Sequence, residues 1–141
     1  MPRILAIDYG TKRVGVAVTD SLQMIATPLT AIHAKDIVAF IIEYIGKEEV
    51  EAVVVGLPKD MMNNDSESEK HIQVFIRTLK NKVPDLKIER YDERFTSKMA
   101  QQTMLEAGLK KKARQNKQLI DQTSAVIILQ SYLEHKKFQH H

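Results

Sequence analysis

ILAIDYGTKRVGVAVTD, running from Ile4 to Asp20, reads as two strands and a turn. Ile4 to Ile7 is a short, wholly apolar run, which suits a strand buried on both faces. Tyr9-Gly10-Thr11-Lys12-Arg13 supplies turn chemistry, and Val14-Gly15-Val16-Ala17-Val18 reads as a second strand, so the pair predicts a hairpin. Asp8 stands at the carboxyl tip of the first strand. A carboxylate there is poorly solvated unless a metal ion or a basic partner offsets its charge. Gly10 allows close backbone approach, and Lys12 and Arg13 attract phosphate, so the hairpin is read as the floor of a phosphate-and-metal site.

The rest of the chain extends this start. Met24 to His33 predicts a third strand, with Pro28 arguing for a sheet edge. Lys35 to Glu48 turns helical, with Ile37, Ile41, Tyr44 and Ile45 at helical spacing. Glu51 to Leu57 is a second wholly apolar strand, ended by Gly56 and Pro58, and reads as a central parallel strand. Lys59 to Asp65 is a polar loop. Ser66 to Glu69 fits a capping box for a helix carrying Ile72, Phe75, Ile76, Leu79 and Val83 on one face. Leu86 to Tyr91 alternates as a half-solvated strand and delivers Asp92, Glu93 and Arg94 at its end. A helix from Thr96 or Ser97 to about Ala107 follows, then a basic loop. The last helix spans about Gln118 to His135, with Asp121, Ala125 and Ile128 on one face and Val126, Leu129 and Leu133 on another. An antiparallel start followed by βαβ units predicts a mixed sheet with helices on both faces.

Bulk properties bound the function. The chain has 141 residues, 43% hydrophobic and 28% charged, which predicts one soluble globular domain over residues 1–141. Without Cys it has no disulfides or thiolate metal sites. Arg3 is followed by only four apolar residues before Asp8, and no run spans a bilayer, so the expectation is a cytoplasmic protein without membrane attachment. Net charge is +3, but between Arg94 and Lys117 the bases Arg94, Lys98, Lys110, Lys111, Lys112, Arg114 and Lys117 face one acid, Glu106. A basic segment beside candidate acids suggests a polyanionic partner; the plainer alternative is a solvated loop.

Sites in open α/β sheets form at the carboxyl ends of strands near a topological switch point. Asp8 ends the first strand there, Asp92 and Glu93 end the fifth, and Gly56 would leave room between them. Asp121, early in the last helix, would join them if its face packs on the sheet. Clustered acids repel and call for a hard divalent cation with oxygen ligands, Mg²⁺ or Mn²⁺, of the kind that serves phosphodiester cleavage. Each residue also has a structural alternative. Asp8 would form a turn, Glu93 would pair with Arg94, and Asp121 would complement the helix dipole. Either Asp92 or Glu93 fits as the second acid. His33, His71 and His135 lack metal-ligand spacing and read as surface or structural residues.

Taken in order, AIDYGTKRVGVAV, VVVGLP, YDERFTS and LIDQTSAVIILQSYL resemble the YqgF/RuvX family over nearly the whole chain. The resemblance implies an RNase H-like fold, a mixed five-stranded sheet of order 3-2-1-4-5 with helices on both faces. It implies Asp8, Glu93 and Asp121 as catalytic, metal-binding acids. Lys12, Arg13 and Arg94 fall at phosphate-handling positions, with Lys110, Lys111, Lys112, Arg114 and Lys117 as further nucleic-acid contacts from the basic stretch. Family members are described as pre-16S rRNA processing nucleases and as Holliday-junction resolvases. The expected activity is therefore metal-dependent endonucleolytic cleavage of structured RNA or DNA by a monomer or homodimer. Pre-rRNA is preferred as substrate and a four-way junction is the alternative. Two other classes compete. A binding module without catalysis would use the same basic stretch. A nucleotide phosphotransferase is suggested by the Asp-Tyr-Gly-Thr hairpin, but the chain is short for that class and lacks a second phosphate loop.

Overall fold

The computed structural model describes residues 2–9, 13–57, 67–92 and 117–139, with the backbone alone at 57, 67, 68, 92, 117–123 and 137–139. The elements are β1 (Arg3–Tyr9), β2 (Arg13–Thr19), β3 (Ala26–His33), a 3-10 turn (Ala34–Asp36), α1 (Ile37–Lys47), β4 (Val50–Leu57), α2 (Glu67–Lys82), β5 (Lys87–Asp92) and α3 (Lys117–Gln139). The strands form one five-stranded sheet of order β3-β2-β1-β4-β5. β1 pairs antiparallel with β2 and parallel with β4; β2–β3 is antiparallel and β4–β5 parallel. The mixed sheet and its order match the expectation. The expected helix after Thr96, the Ser66 cap, the Lys59–Asp65 loop and the basic loop up to Asn116 lie outside the described residues; Lys117, expected to end that loop, is the first residue of α3.

Side-chain alternation along the strands divides the interior in two. Leu5, Ile7, Val14, Val16, Val53 and Val55 face α1 and α2, where Ile37, Ile41, Ile72, Phe75 and Leu79 complete one core. Ile4, Ala6, Ala17, Ala26, Val54 and Tyr91 face α3, which contributes Ala125, Ile128, Leu129 and Leu133. The first core is built of large side chains, whereas half of the sheet residues in the second are Ala. Methyl groups let a helix settle close to the strands. Leu129 and Leu133, expected on a different face from Ala125 and Ile128, are buried together with them, because four and eight residues after Ala125 they return to its stripe of the helix.

Two further differences have local causes. Met24 and Ile25, expected inside the third strand, stand exposed in the turn before it. Asp20 Oδ1 accepts the backbone N–H groups of both, at 2.8 and 2.9 Å, and so draws them out of the ladder. Gln23, just before them, takes φ 57°, the left-handed region. Pro28 does lie on an edge strand, opposite Ala17, beside a register shift at which Leu29 is the extra residue of β3. Among the described residues no helix is long and apolar enough to cross a membrane.

Candidate functional site

Asp8 occupies the sheet's central strand at its carboxyl end. It pairs with Gly15 of β2, and Gly15 pairs with Ala31 of β3. On the other side Ile7 pairs with Val55, so Asp8 stands level with Gly56 of β4, which in turn pairs with Tyr91 of β5. One row across the sheet therefore reads Ala31, Gly15, Asp8, Gly56, Tyr91. The half-buried carboxylate is bordered on both sides by glycine, so no neighbouring side chain in that row crowds it. By alternation Asp8 shares a face with Ile4 and Ala6, the face that α3 covers. This is also the switch point, because β1 has an antiparallel neighbour on one side and a parallel one on the other.

The course of α3 follows from its C-terminal half. Lys136 Nζ donates to Glu51 Oε2 at 2.8 Å and to Gln23 Oε1 at 3.3 Å, and Gln23 Nε2 donates to the carbonyl of Pro2 at 2.9 Å. These partners lie where β1 and β4 begin. The helix therefore runs from the opposite edge, where those strands end and Asp8 stands. Asp121 is in α3, one helical turn ahead of the buried Ala125.

Polar contacts fix α3 to β5. The buried Tyr91 hydroxyl bonds the Ser131 hydroxyl and, at 3.0 Å, His135 Nδ1. Tyr132 donates its hydroxyl to Glu89, and the Tyr91 and Tyr132 rings meet edge to face. Burial, then the Glu89 carboxylate, pushes the Tyr132 hydroxyl far above the usual phenol range. On the other face, Arg90 reaches from β5 to Glu69 of α2. It also donates through Nε to the Val55 carbonyl and through Nη2 to the Gly56 carbonyl, both at 3.3 Å. The Arg90 guanidinium beside Glu69 holds that carboxyl below its ordinary range.

Of the residues singled out from sequence, Asp8 and Arg13 meet at one edge and one face, Arg13 being the exposed first residue of β2. Lys117 and Asp121 fall in α3, and Asp92 is the last residue of β5. Lys12, Glu93, Arg94, Lys110, Lys111, Lys112 and Arg114 lie outside the described residues. Among the described residues no three His, Asp or Glu side chains converge as a metal site. The Arg90–Glu69 and Tyr91–Ser131–His135 contacts escaped sequence reasoning. A small polar Ser among the large apolar residues of the last helix was the one available sign of the second.

Comparison with known proteins agrees with this geometry. The model of the RuvX family, described as Holliday junction resolvase, matches residues 2–135. A Bacteroides thetaiotaomicron protein named "Putative pre-16S rRNA nuclease" is 56% identical over 138 residues, covering 98% of this chain and all of the relative. A Flavobacterium johnsoniae protein of the same name is also 56% identical, over 98% of this chain and 100% of its own. Among solved structures, Thermus thermophilus RuvC in complex with a Holliday junction substrate superposes with a TM-score of 0.63 at 15% identity, covering 98% of this chain and 96% of that one. The fowlpox virus resolvase bound to Holliday junction DNA gives 0.59 at 12% identity, over 95% and 98%. At these identities the two structures share the fold.

Proposed function

The chain belongs to the RuvX family, and from that premise we propose that it is a metal-dependent endonuclease of structured nucleic acid, acting as a single RNase H-like domain. It is a hydrolase of phosphodiester bonds. The observation that carries the reading is the placement of Asp8: a half-buried carboxylate at the switch point, between Gly15 and Gly56. Hard oxygen donors suit a divalent ion, so Asp8 fits the group the fold calls for. Asp8, Glu93 and Asp121 would hold Mg²⁺ or Mn²⁺. When bound, the ion supplies the positive charge that activates water and stabilises the leaving oxygen. The family motif that Asp92-Glu93-Arg94 resembles favours Glu93 as the second acid. The direction of α3 supports Asp121 as the third.

The protein's own part is to orient the scissile phosphate. Gly15 and Gly56 leave no side chain beside Asp8 in its row of the sheet. Arg13, with Lys12 and Arg94, would neutralise phosphate oxygens, and Lys110, Lys111, Lys112, Arg114 and Lys117 would extend the basic path. The full-length likeness to relatives named for pre-16S rRNA favours maturation of the 5′ end of pre-16S rRNA, which is cytoplasmic work. The family description favours junction resolution as the second reading, which would require a symmetric dimer. The test sets wild type beside Asp8→Asn, with Mg²⁺ or Mn²⁺, on pre-16S rRNA ends and four-way DNA junctions. Cleavage by wild type alone, at equal folded content, is the expected result. Full activity in Asp8→Asn would overturn the reading.

A further inference from the structure

We propose that Arg13, His33 and Lys35 form a phosphate-contacting rim that leads a nucleic-acid backbone away from Asp8 across β2 and β3. The proposal rests on the nuclease reading and adds His33 and Lys35 to it. Arg13 and His33 are direct cross-strand partners at the end of the β2–β3 ladder. They lie two residues beyond Gly15 and Ala31, which share a row with Asp8. Alternation therefore puts Arg13 and His33 on the same sheet face as Asp8, and both are exposed. Two strand spacings of about 4.8 Å separate β3 from β1. Roughly 10 Å corresponds to about three nucleotides of duplex rise.

His33 is oriented rather than loose. Its Nδ1 accepts the backbone N–H of Lys35 at 3.2 Å and so caps the 3-10 turn. With Nδ1 accepting, the neutral ring carries its proton on Nε2, the nitrogen left to donate outward. The same turn sets the exposed Lys35 two residues away. Among the described residues, neither Arg13, His33 nor Lys35 is in an ion pair. Asp36 is the acid of the turn, so Arg13 and Lys35 leave the rim net positive before His33 is counted. Two exposed cations beside an oriented N–H donor suit successive phosphates, whose contacts position a nucleic acid without reading its sequence.

The test uses the full chain in an Asp8→Asn background, with a fluorescent RNA hairpin and a four-way DNA junction titrated across a salt series. His33→Asn keeps a side-chain acceptor for the Lys35 N–H while removing the ring donor; Lys35→Gln removes the charge. The double variant is expected to bind about three- to tenfold more weakly at physiological salt, with a log–log salt slope shallower by about one. Loss on both probes assigns the rim to the shared phosphodiester backbone, and loss on one assigns it to that nucleic acid. Unchanged affinity and slope, where the parent binds with steep salt dependence, overturn the rim and leave the nuclease reading standing. A parent that binds neither probe overturns both. Circular dichroism and Tm equal to the parent's confirm that any loss lies in binding.

Discussion

Arg90 grips Glu69 with both arms of its guanidinium, Nη1 to Oε2 at 2.9 Å and Nη2 to Oε1 at 2.8 Å. The fork ties α2 to the last parallel strand beside the carbonyls of Val55 and Gly56. Glu69→Gln breaks its charge and its two-point geometry, at a cost of about 1–2 kcal/mol. The expected thermal unfolding midpoint is lower by roughly 3–6 °C. An unchanged midpoint would show that the fork is energetically idle.

The same carboxylate predicts an acid limb. Glu69 is depressed by Arg90, Glu51 by its hydrogen bond from Lys136, and Asp20 by the backbone N–H groups of Ile25 and Met24. In each case the unfolded chain binds the proton more readily than the folded one. The stabilisation is therefore complete above the ordinary carboxylate pKa, about 4–4.5. It is lost as pH falls through the depressed folded values. Urea titrations from pH 6 to pH 2.5 should show stability dropping below about pH 4.5. In Glu69→Gln the drop should be visibly shallower.

Tyr91 and Ser131 offer a sharper test of buried polarity. Tyr91→Phe removes the phenolic partner of a hydroxyl that sits in an apolar core, with an expected loss of about 1–3 kcal/mol. Adding Ser131→Ala should recover part of it, because the buried hydroxyl that faced the phenol is then removed as well. A double-mutant cycle on Tm or urea midpoints measures the coupling. Strict additivity would mean the two hydroxyls act independently.

The Ala-lined seat of α3 predicts intolerance to volume. Ala125 is fully buried against the sheet. Ala125→Leu should cost about 1–3 kcal/mol by overpacking. If Asp121 belongs to the active centre, cleavage should fall further than this stability loss explains, since one helical turn separates the two positions. Cleavage measured well below the unfolding midpoint would separate these effects.

Much of this architecture is written locally. Ile4–Ile7 and Val53–Val55 are uniformly apolar because both faces of their strands are covered, and that pattern alone marks the sheet's centre. Asp8 is legible for the same reason: a charge directly after such a run demands an explanation. The contacts that sequence reasoning missed depend on register between distant segments. Arg90 finds Glu69 across 21 residues only because β5 lies parallel to β4 and α2 returns over it. Leu129 and Leu133 follow Ala125 by four and eight residues and so share its helical stripe, which is legible in the sequence; which strands that stripe covers is not.

The C-terminal half of α3 is pinned through Lys136 at the edge where β1 and β4 begin, and Asp121 lies fifteen residues earlier. At 1.5 Å per residue that is a rigid rod of roughly 22 Å. It works as a lever whose fulcrum is the Ala-lined seat. Loosening the Lys136 end, by trimming the tail or by Glu51→Gln, would tilt the rod and move whatever stands at position 121, far from the change itself.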